Sequence, residues 1–362
     1  MKVLVVARAG RGGIHQYAWQ LCAACRSSGL QVTLACPRDA EVLPGAGPER
    51  VVALGEQRGP RGYRALAREL VALAPGYDLV HLMAPIWSPL DVAYLLGRLR
   101  PIAPLSCTLH ELLPVLGRFY HRPVYRLYWQ SFDAVAVHAT EHERALRRLG
   151  AHRPAVSVVP FGDHSESLGG PDEAMDPRRV LALDAERPIV LFFGLVQARK
   201  GLSDLIRALA GTSGRVYLLC AGEPGGSMAA YRRLAAELGV DLVAHPAYLR
   251  YLPGPTAAAA LRAATVVALP YRGGGNSGVL AVAASMGVPA VATHAVAPPD
   301  YLRRLPARAV VAPGDIAAMR AAVEAALRQE LAPAAPFPSW AQAAAAYAEF
   351  WTKAVAAAQR GR

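Results

Sequence analysis

The stretch YRGGGNSGV (271–279) lies between an apolar run, TVVALP (265–270), and a segment of small apolar residues, LAVAASMG (280–287). Glycines let a ligand approach the backbone, and the amide groups at a helix N-terminus attract anions. This pattern predicts a phosphate-binding turn, with Arg272 adding positive charge. The alternative is a turn that only reverses the chain. The residues expected at the start of the helix, against the anion, are Asn276, Ser277, Gly278 and Val279.

Two adjacent cations, Arg199 and Lys200, precede another helix-like segment in FFGLVQARKGLSDLIRALA (192–210). Positive charge at a helix N-terminus opposes the helix dipole. The placement is easier to explain if an anion binds there, so a phosphate contact is predicted for Arg199 or Lys200. The next strand-like run ends in a second glycine-rich exit, CAGEPGGS, which carries Glu223.

His110 follows a strand-like run in TLHE. A histidine at a strand exit can donate a hydrogen bond to a hydroxyl or phosphate group, or act as a base near neutral pH.

Near the start of the chain, ARAGRGGIHQYAWQL (7–21) does not match the dinucleotide-binding fingerprint, because residue 15 is His rather than Gly. Gly12 and Gly13 can still bring a ligand to a helix N-terminus; the alternative is a tight strand-to-helix turn.

The elements that must position these residues are short, apolar, β-branched runs that alternate with helical patterns. Apolar runs without polar alternation indicate strands covered on both faces, and therefore parallel sheets with crossover helices. Two doubly wound α/β domains are predicted, with ligands at the carboxyl ends of the strands. The strands are expected at 2–7, 31–36, 50–54, 79–82, 104–110, 134–139, 156–160, 188–194, 215–222, 240–246, 265–270, 289–293 and 308–313.

The domain prediction follows from a polar, Gly- and Pro-rich interruption of this alternation. The predicted parts are an N-terminal Rossmann-like domain, a linker, a C-terminal Rossmann-like domain, and a helix that crosses back to the N-terminal domain. Their expected ranges are 1–165, 166–187, 188–335 and 336–362.

The formal net charge of +12 is spread along the 362 residues. A spread excess fits anionic small ligands or an anionic membrane surface better than nucleic acid, because no basic stripe with interleaved aromatics occurs. The basic aromatic segment HRPVYRLYWQ (121–130) is expected to pack near the ligand cleft or to contact a membrane peripherally. Without a long apolar run, the chain is expected to be cytoplasmic.

Cys22 and Cys25 form a CxxC sequence. It is interpreted as core packing or, alternatively, as a redox or metal-binding pair.

Together these stretches resemble the bacterial retaining glycosyltransferases of the GT-B fold, glycosyltransferase family 4 (group 1) type. SVVPFG before the linker also matches the family pattern. The resemblance implies two Rossmann-like domains facing a central cleft. It implies that a UDP or GDP sugar binds the C-terminal domain, and that a glycan, glycolipid or small-molecule acceptor binds the N-terminal one. It implies transfer of the sugar to an acceptor hydroxyl with retention, in polysaccharide or glycolipid biosynthesis, with no cofactor.

The resemblance also implies roles for individual residues. Lys200 matches the family's diphosphate-binding lysine, while the arginine five residues earlier is Leu195 here, which leaves Arg199 as a substitute. His110 matches the histidine near the transferred sugar, and the Gly12-Gly13 loop matches the one near the donor phosphates. The catalytic residues are therefore expected to be His110 and Lys200. Contacts to the donor sugar or nucleoside are expected from Glu223, Tyr248, Arg272, Gly274 and Gly275.

The sequence departs from the family at its pair of glutamates, whose positions are Gly274 and Val282 here. No Asp-x-Asp occurs, so a metal-independent reaction is expected. Two alternatives stay open: a catalytically silent nucleotide-sugar-binding protein, and a nucleotide-sugar epimerase that would use Glu111 and Glu223 for proton transfer.

Overall fold

A computed structural model describes residues 1–55, 59–84, 95–110, 129–152, 154–274 and 276–361. These residues form two compact units. The first comprises Met1–Gly162 and Pro338–Arg362, and the second comprises Asp163–Phe337. Gly275, Glu111 and most of the segment 121–130 lie outside the described residues, so the predictions made for them stay predictions.

The first unit is built on a sheet of seven parallel strands in the order β3-β2-β1-β4-β5-β6-β7. Every residue of β5 and β6 is buried, as the apolar runs predicted. The strands are β1 Lys2–Val6, β2 Gln31–Pro37, β3 Arg50–Leu54, β4 Leu79–Ala84, β5 Leu105–Leu109, β6 Ala134–Val137 and β7 Ala155–Val158. The helices of this unit that lie wholly within the described residues include α1 Gly13–Ala24, α2 Gly59–Leu73 and α3 Thr140–Arg148, followed at the end of the chain by Trp340–Gly361.

The second unit is built on a sheet of six parallel strands in the order β10-β9-β8-β11-β12-β13. The strands are β8 Ile189–Phe193, β9 Tyr217–Ala221, β10 Asp241–Val243, β11 Val266–Leu269, β12 Ala290–Thr293 and β13 Val310–Val311. Its helices are α4 Pro177–Val180, α5 Leu202–Ala208, α6 Ala229–Glu237, α7 Gly254–Ala263, α8 Gly278–Ser285, α9 Pro299–Leu302 and α10 Ile316–Leu327. The two all-parallel sheets confirm the predicted fold class, and each strand in the described residues lies within a predicted one or within three residues of its ends.

The segment 166–187, expected to be a linker, lies in the second unit. Its Met175 carbonyl accepts a hydrogen bond of 2.6 Å from the Tyr248 hydroxyl. The α7 residue Gly254 presses against Leu168, since a Cβ at Gly254 would lie 2.5 Å from the Leu168 carbonyl oxygen. Polar and Pro-rich composition therefore marks a segment without regular strands, and specific contacts fix it to this unit.

The C-terminal helix, α11 Trp340–Gly361, lies in the first unit. The Tyr347 hydroxyl is 2.6 Å from Thr108 Oγ1, a buried polar atom of β5. The rings of Tyr347, Phe350 and Trp351 also surround His81 of β4, with centroids 5.6 to 5.9 Å away. Aromatic side chains on an Ala-rich helix thus supply the surface that packs on the sheet.

Cys22 and Cys25 are buried and neither forms a disulfide. Burial, together with neighbouring thiols, raises the pKa of the Cys22 thiol well above its usual range. A buried thiol held in its neutral form is unreactive. This supports core packing as the role of the CxxC sequence. No helix in the described part of the chain has the length and apolar character that a membrane span requires.

His81 should make the first unit sensitive to acid. Its Nδ1 is 2.8 Å from Ser106 Oγ and its Nε2 is 2.9 Å from Thr108 Oγ1. Burial lowers the pKa of His81 from 6.5 to about 3, and His110 adds a smaller effect. Between pH 6.5 and about 3, the unfolded chain therefore binds a proton at His81 and the folded chain does not. The contribution of neutral His81 to the free energy of unfolding is fully present above pH 6.5 and is lost as the pH falls below it.

We expect the His81 contribution to the free energy of unfolding to fall by about 1 kcal/mol per pH unit between pH 6 and 4. Urea denaturation at several pH values measures this slope. His81→Gln should flatten it relative to wild type, whereas His152→Gln, at an exposed site, should leave it unchanged. Equal slopes in wild type and His81→Gln would show that His81 is not responsible.

Candidate functional site

The carboxyl end of the second sheet is shaped by glycines that follow its central strands. Gly194 follows β8 and Gly222 follows β9, with φ angles of +105° and +138°. A Cβ at Gly222 would lie 2.0 Å from the Gly194 carbonyl oxygen, so the two strand exits are in direct backbone contact. A Cβ at Gly194 would lie 3.7 Å from Cγ2 of Val279 in the first turn of α8. These glycines bring the start of α8 against the end of β8.

Gly201 places the Arg199-Lys200 pair at the same edge of the sheet. Its φ is +75°, and a Cβ there would lie 1.8 Å from the carbonyl oxygen of Pro270, which directly follows β11. A glycine is therefore required for both its conformation and its close backbone approach. This contact fixes the 3₁₀ turn Ala198–Lys200 beside Pro270 and Tyr271.

Lys200 lies over the ring of Tyr271, with Nζ 3.5 Å from the ring centroid. Tyr271 is only 2% exposed; its hydroxyl is 3.2 Å from Ser277 Oγ, and its carbonyl accepts a 2.6 Å hydrogen bond from Thr293 Oγ1. The cation is thus held on a buried ring that also contacts the residue preceding α8. Sequence reasoning did not single out Tyr271, although an aromatic residue at the strand exit was visible.

The start of α8 presents backbone amides without a side-chain cap. Ser277 is the N-cap residue, yet its side chain makes no capping bond and contacts Tyr271 instead. Gly278 and Val279 form the first turn, and both are partly exposed. The Nδ2 and Oδ1 atoms of Asn276 are buried and make no hydrogen bond with the part of the chain that the structure describes. Uncapped amides, a nearby ammonium group and an unsatisfied amide side chain are suited to binding an oxyanion.

Arg199 lies beside Gly274, the position of the first family glutamate. Its Nη1 would be 3.6 Å from a Cβ at Gly274, and its Nε donates to Gln197 Oε1 over 3.1 Å. The Arg199 carbonyl also accepts a hydrogen bond from the backbone amide of Arg272. A guanidinium group therefore lies next to the position to which the family resemblance assigns a glutamate.

Two of the residues predicted to contact the ligand have partners within the protein, and their ligand contacts stay predictions. Arg272 forms a bidentate ion pair with the buried Asp204 of α5, with hydrogen bonds of 2.7 and 2.5 Å, so its charge is balanced within the protein. This pairing raises the pKa of Arg272. Tyr248 is fully buried, and its hydroxyl donates a hydrogen bond to the Met175 carbonyl oxygen. The remaining predicted residue, Glu223, is exposed immediately after Gly222.

In the first unit, Gly12 has a φ of +82° and precedes α1, which begins at Gly13. A Cβ at either position would meet no described heavy atom within 4 Å. His15, the residue that breaks the dinucleotide fingerprint, is fully buried, and its Nε2 is 2.7 Å from the carbonyl oxygen of Glu41. The backbone amide of Glu41 donates to the Gly10 carbonyl, so residues 40–41 brace this loop.

His110 follows β5 directly, and a second histidine, His138, follows its neighbour β6. His138 Nε2 is 3.2 Å from His110 Nδ1, and both side chains are buried. Tyr17 packs edge-on against His110 with ring centroids 4.8 Å apart. Sequence reasoning missed His138, because pairing it with His110 requires knowing that β5 and β6 are adjacent.

These features define a class of protein. The chain has two doubly wound parallel sheets, and one of them has a glycine-lined, cationic strand exit suited to an oxyanion, at the edge where open α/β sheets bind ligands. Comparison with known families makes the assignment specific. Residues 12–162 match the model of the glycosyl transferase 4-like domain, and residues 187–329 match that of the glycosyl transferases group 1. The chain belongs to the group 1 glycosyltransferases of family 4.

Known proteins agree with this assignment. The chain is 29% identical over 327 residues to a D-inositol 3-phosphate glycosyltransferase of Corynebacterium efficiens, which covers 78% of this chain and 74% of that protein. Sucrose-phosphate synthase from Thermosynechococcus elongatus superposes with a TM-score of 0.68 at 21% identity, covering 99% and 94% of the two chains. Anabaena HepE in complex with UDP-glucose also gives 0.68, at 17% identity and 99% and 98% coverage. At these identities the structural likeness concerns the fold.

Proposed function

We propose that this glycosyltransferase moves a sugar from a nucleoside-diphosphate sugar to an acceptor hydroxyl with retention of configuration and without a metal ion. The observation that carries the proposal is the placement of Lys200 over Tyr271, beside the uncapped start of α8. The UDP-glucose complex of HepE supports a uridine nucleotide as donor. The names of the inositol-phosphate and sucrose-phosphate enzymes support a small polyol or sugar phosphate as acceptor; a glycan or glycolipid is the other acceptor class.

In this proposal the diphosphate binds to Lys200 Nζ and to the amides of Gly278 and Val279. Ser277 and Asn276 flank it, and the Asn276 amide gains the hydrogen bonds that it lacks within the described protein. Preorganised donors aimed at the leaving diphosphate stabilise the charge that develops as the sugar–phosphate bond breaks. Within the described residues, no cluster of three His, Cys, Asp or Glu side chains could hold a metal ion.

Retention follows if the acceptor attacks from the face that the diphosphate leaves. The bond between the anomeric carbon and the phosphate oxygen breaks, and the bond to the acceptor oxygen forms on the same face. The acceptor proton passes to an oxygen of the departing phosphate, so charge and atoms balance without a protein nucleophile. Neither family glutamate is present: Val282 is buried in α8 and Gly274 carries no side chain. Arg199, Asn276 and Glu223 are the polar side chains near this edge that can hold sugar and ribose hydroxyls.

The test is incubation of the protein with UDP-, GDP- and ADP-sugars in the presence of EDTA, followed by chromatography of the nucleotides. We expect slow release of nucleoside diphosphate and free sugar from one donor, with a UDP-sugar as the first candidate. Binding without release, with every acceptor offered, would favour a silent nucleotide-sugar-binding protein. Conversion of the donor to an epimer would favour the epimerase alternative. Loss of turnover in EDTA, restored by a divalent cation, would contradict metal independence.

A further inference from the structure

His110 and His138 occupy matching positions on adjacent strands. Leu109 of β5 pairs with Val137 of β6, so the next residue of each strand, a histidine in both cases, leaves the sheet at the same level. The third strand along, β7, is followed by Val159, whose amide donates to the Val137 carbonyl. Parallel register thus places two imidazoles and one backbone carbonyl at a single edge of the first sheet.

The hydrogen bonds among these groups determine where the imidazole protons lie. His138 Nδ1 is 3.3 Å from the Val159 carbonyl oxygen, which can only accept, so Nδ1 carries the proton. A neutral imidazole has one N–H, so Nε2 of His138 is an acceptor. His110 Nδ1, 3.2 Å away, must then donate to it. The proton of neutral His110 therefore lies on Nδ1, and its Nε2 carries a lone pair.

The surrounding rings hold this arrangement in place. Tyr17 contacts both imidazoles, with centroid distances of 4.8 Å to His110 and 5.2 Å to His138. Phe161 lies edge-on to His138 at 5.0 Å. His138 is only 2% exposed, and both of its ring nitrogens already have partners, the Val159 carbonyl and His110 Nδ1.

We propose that His138 is a positioning residue that fixes the tautomer of His110, so that neutral His110 presents Nε2 as a hydrogen-bond acceptor. The role of that acceptor rests on the proposed function. It accepts a proton or a hydrogen bond from a substrate hydroxyl, and its lone pair disfavours contact with a phosphate oxygen. This resolves the choice between donor and base that the sequence leaves open for His110.

The tautomer can be observed without any substrate. Full-length protein labelled with ¹⁵N-histidine is recorded in a long-range ¹H–¹⁵N correlation spectrum at pH 8, and His110→Gln identifies the His110 signals. We expect a protonated Nδ1 and an unprotonated Nε2 at His110. A protonated Nε2 in the wild-type protein would overturn the proposal, whether or not the protein turns over a nucleotide sugar.

Two variants of His138 separate positioning from packing. His138→Phe keeps an aromatic ring but removes the acceptor, and we expect a mixed tautomer at His110 and a kcat for donor turnover lower by about tenfold or more, with KM little changed. His138→Gln reaches the position of Nε2 with a carbonyl acceptor and should recover the wild-type tautomer and most of kcat. An unchanged His110 tautomer in the Phe variant would overturn the proposal. If His138→Phe does not fold, the spectrum of the wild-type protein still tests the proposed tautomer of His110.

Discussion

Lys200→Ala is expected to lower kcat/KM for donor turnover by about 10²- to 10³-fold, the usual effect of removing one preorganised donor to a developing negative charge. Nucleoside diphosphate affinity should also fall, by about tenfold or more, because a charge-assisted contact is lost. The fold should survive, since Lys200 is partly exposed and its aromatic partner Tyr271 stays buried. Steady-state kinetics with the donor identified by the nucleotide screen, and calorimetric titration with the diphosphate, measure the two effects.

The sequence offers a matched control for this substitution. Only three of its 39 cationic Lys and Arg side chains are lysines: Lys2, Lys200 and Lys353. Lys353 is exposed on α11, where its Nζ lies 3.9 Å from a Glu349 carboxylate oxygen, and Lys353→Ala should leave both measurements unchanged. Lys200→Arg keeps the charge but cannot keep the same point contact over Tyr271, so an intermediate loss is expected. Wild-type diphosphate affinity in Lys200→Ala would contradict the assignment of this site.

Gly201→Ala is expected to destabilise the second unit by about 3 kcal/mol or more, because backbone strain at positive φ adds to a steric clash. The introduced Cβ would lie 1.8 Å from the Pro270 carbonyl oxygen, which is backbone and cannot rotate away. Relief of the clash must move the 198–200 turn away from β11, and Lys200 with it. Donor turnover should therefore fall along with stability.

Gly211→Ala separates the two causes. Gly211 has the same φ of +75°, but a Cβ there would meet no described heavy atom within 4 Å. It should cost only the conformational strain, about 1 kcal/mol. Denaturant unfolding of both variants measures the difference, and equal losses of stability would show that the Gly201–Pro270 contact is not close in solution.

The two sheets could be predicted because strands buried on both faces have apolar sequences without polar alternation, as in KVLVVA and TVVALP. The glycine-rich exits could be predicted for the same reason, since they directly follow such strands. The pairing of Arg272 with Asp204 could not, because the two residues are 68 positions apart and meet only once β11 and α5 pack in the second unit. The glycine-rich loop predicts a ligand contact for Arg272, but it does not indicate that Arg272 also pairs with a buried carboxylate.

Tyr248 and His138 also make contacts that the local sequence does not indicate. The loop that carries Tyr248 is polar and Pro-rich, yet the tyrosine turns inward to Met175, a contact that no local pattern records. His138 lies at the end of an apolar run, AVAVHA, where a single histidine is usually a buried core residue. Its relation to His110 depends on strand order and register, which are properties of the whole sheet rather than of either segment.

A crystal structure of the protein with UDP, or with the diphosphate that the screen identifies, is the most direct test of the proposed diphosphate site. We expect diphosphate oxygens within about 3 Å of Lys200 Nζ and of the Gly278 and Val279 amide nitrogens. We also expect the Asn276 side-chain amide to hydrogen-bond to the nucleotide. A diphosphate bound elsewhere on the chain, with Lys200 left on the Tyr271 ring and no ligand atom at the start of α8, would contradict the proposed site.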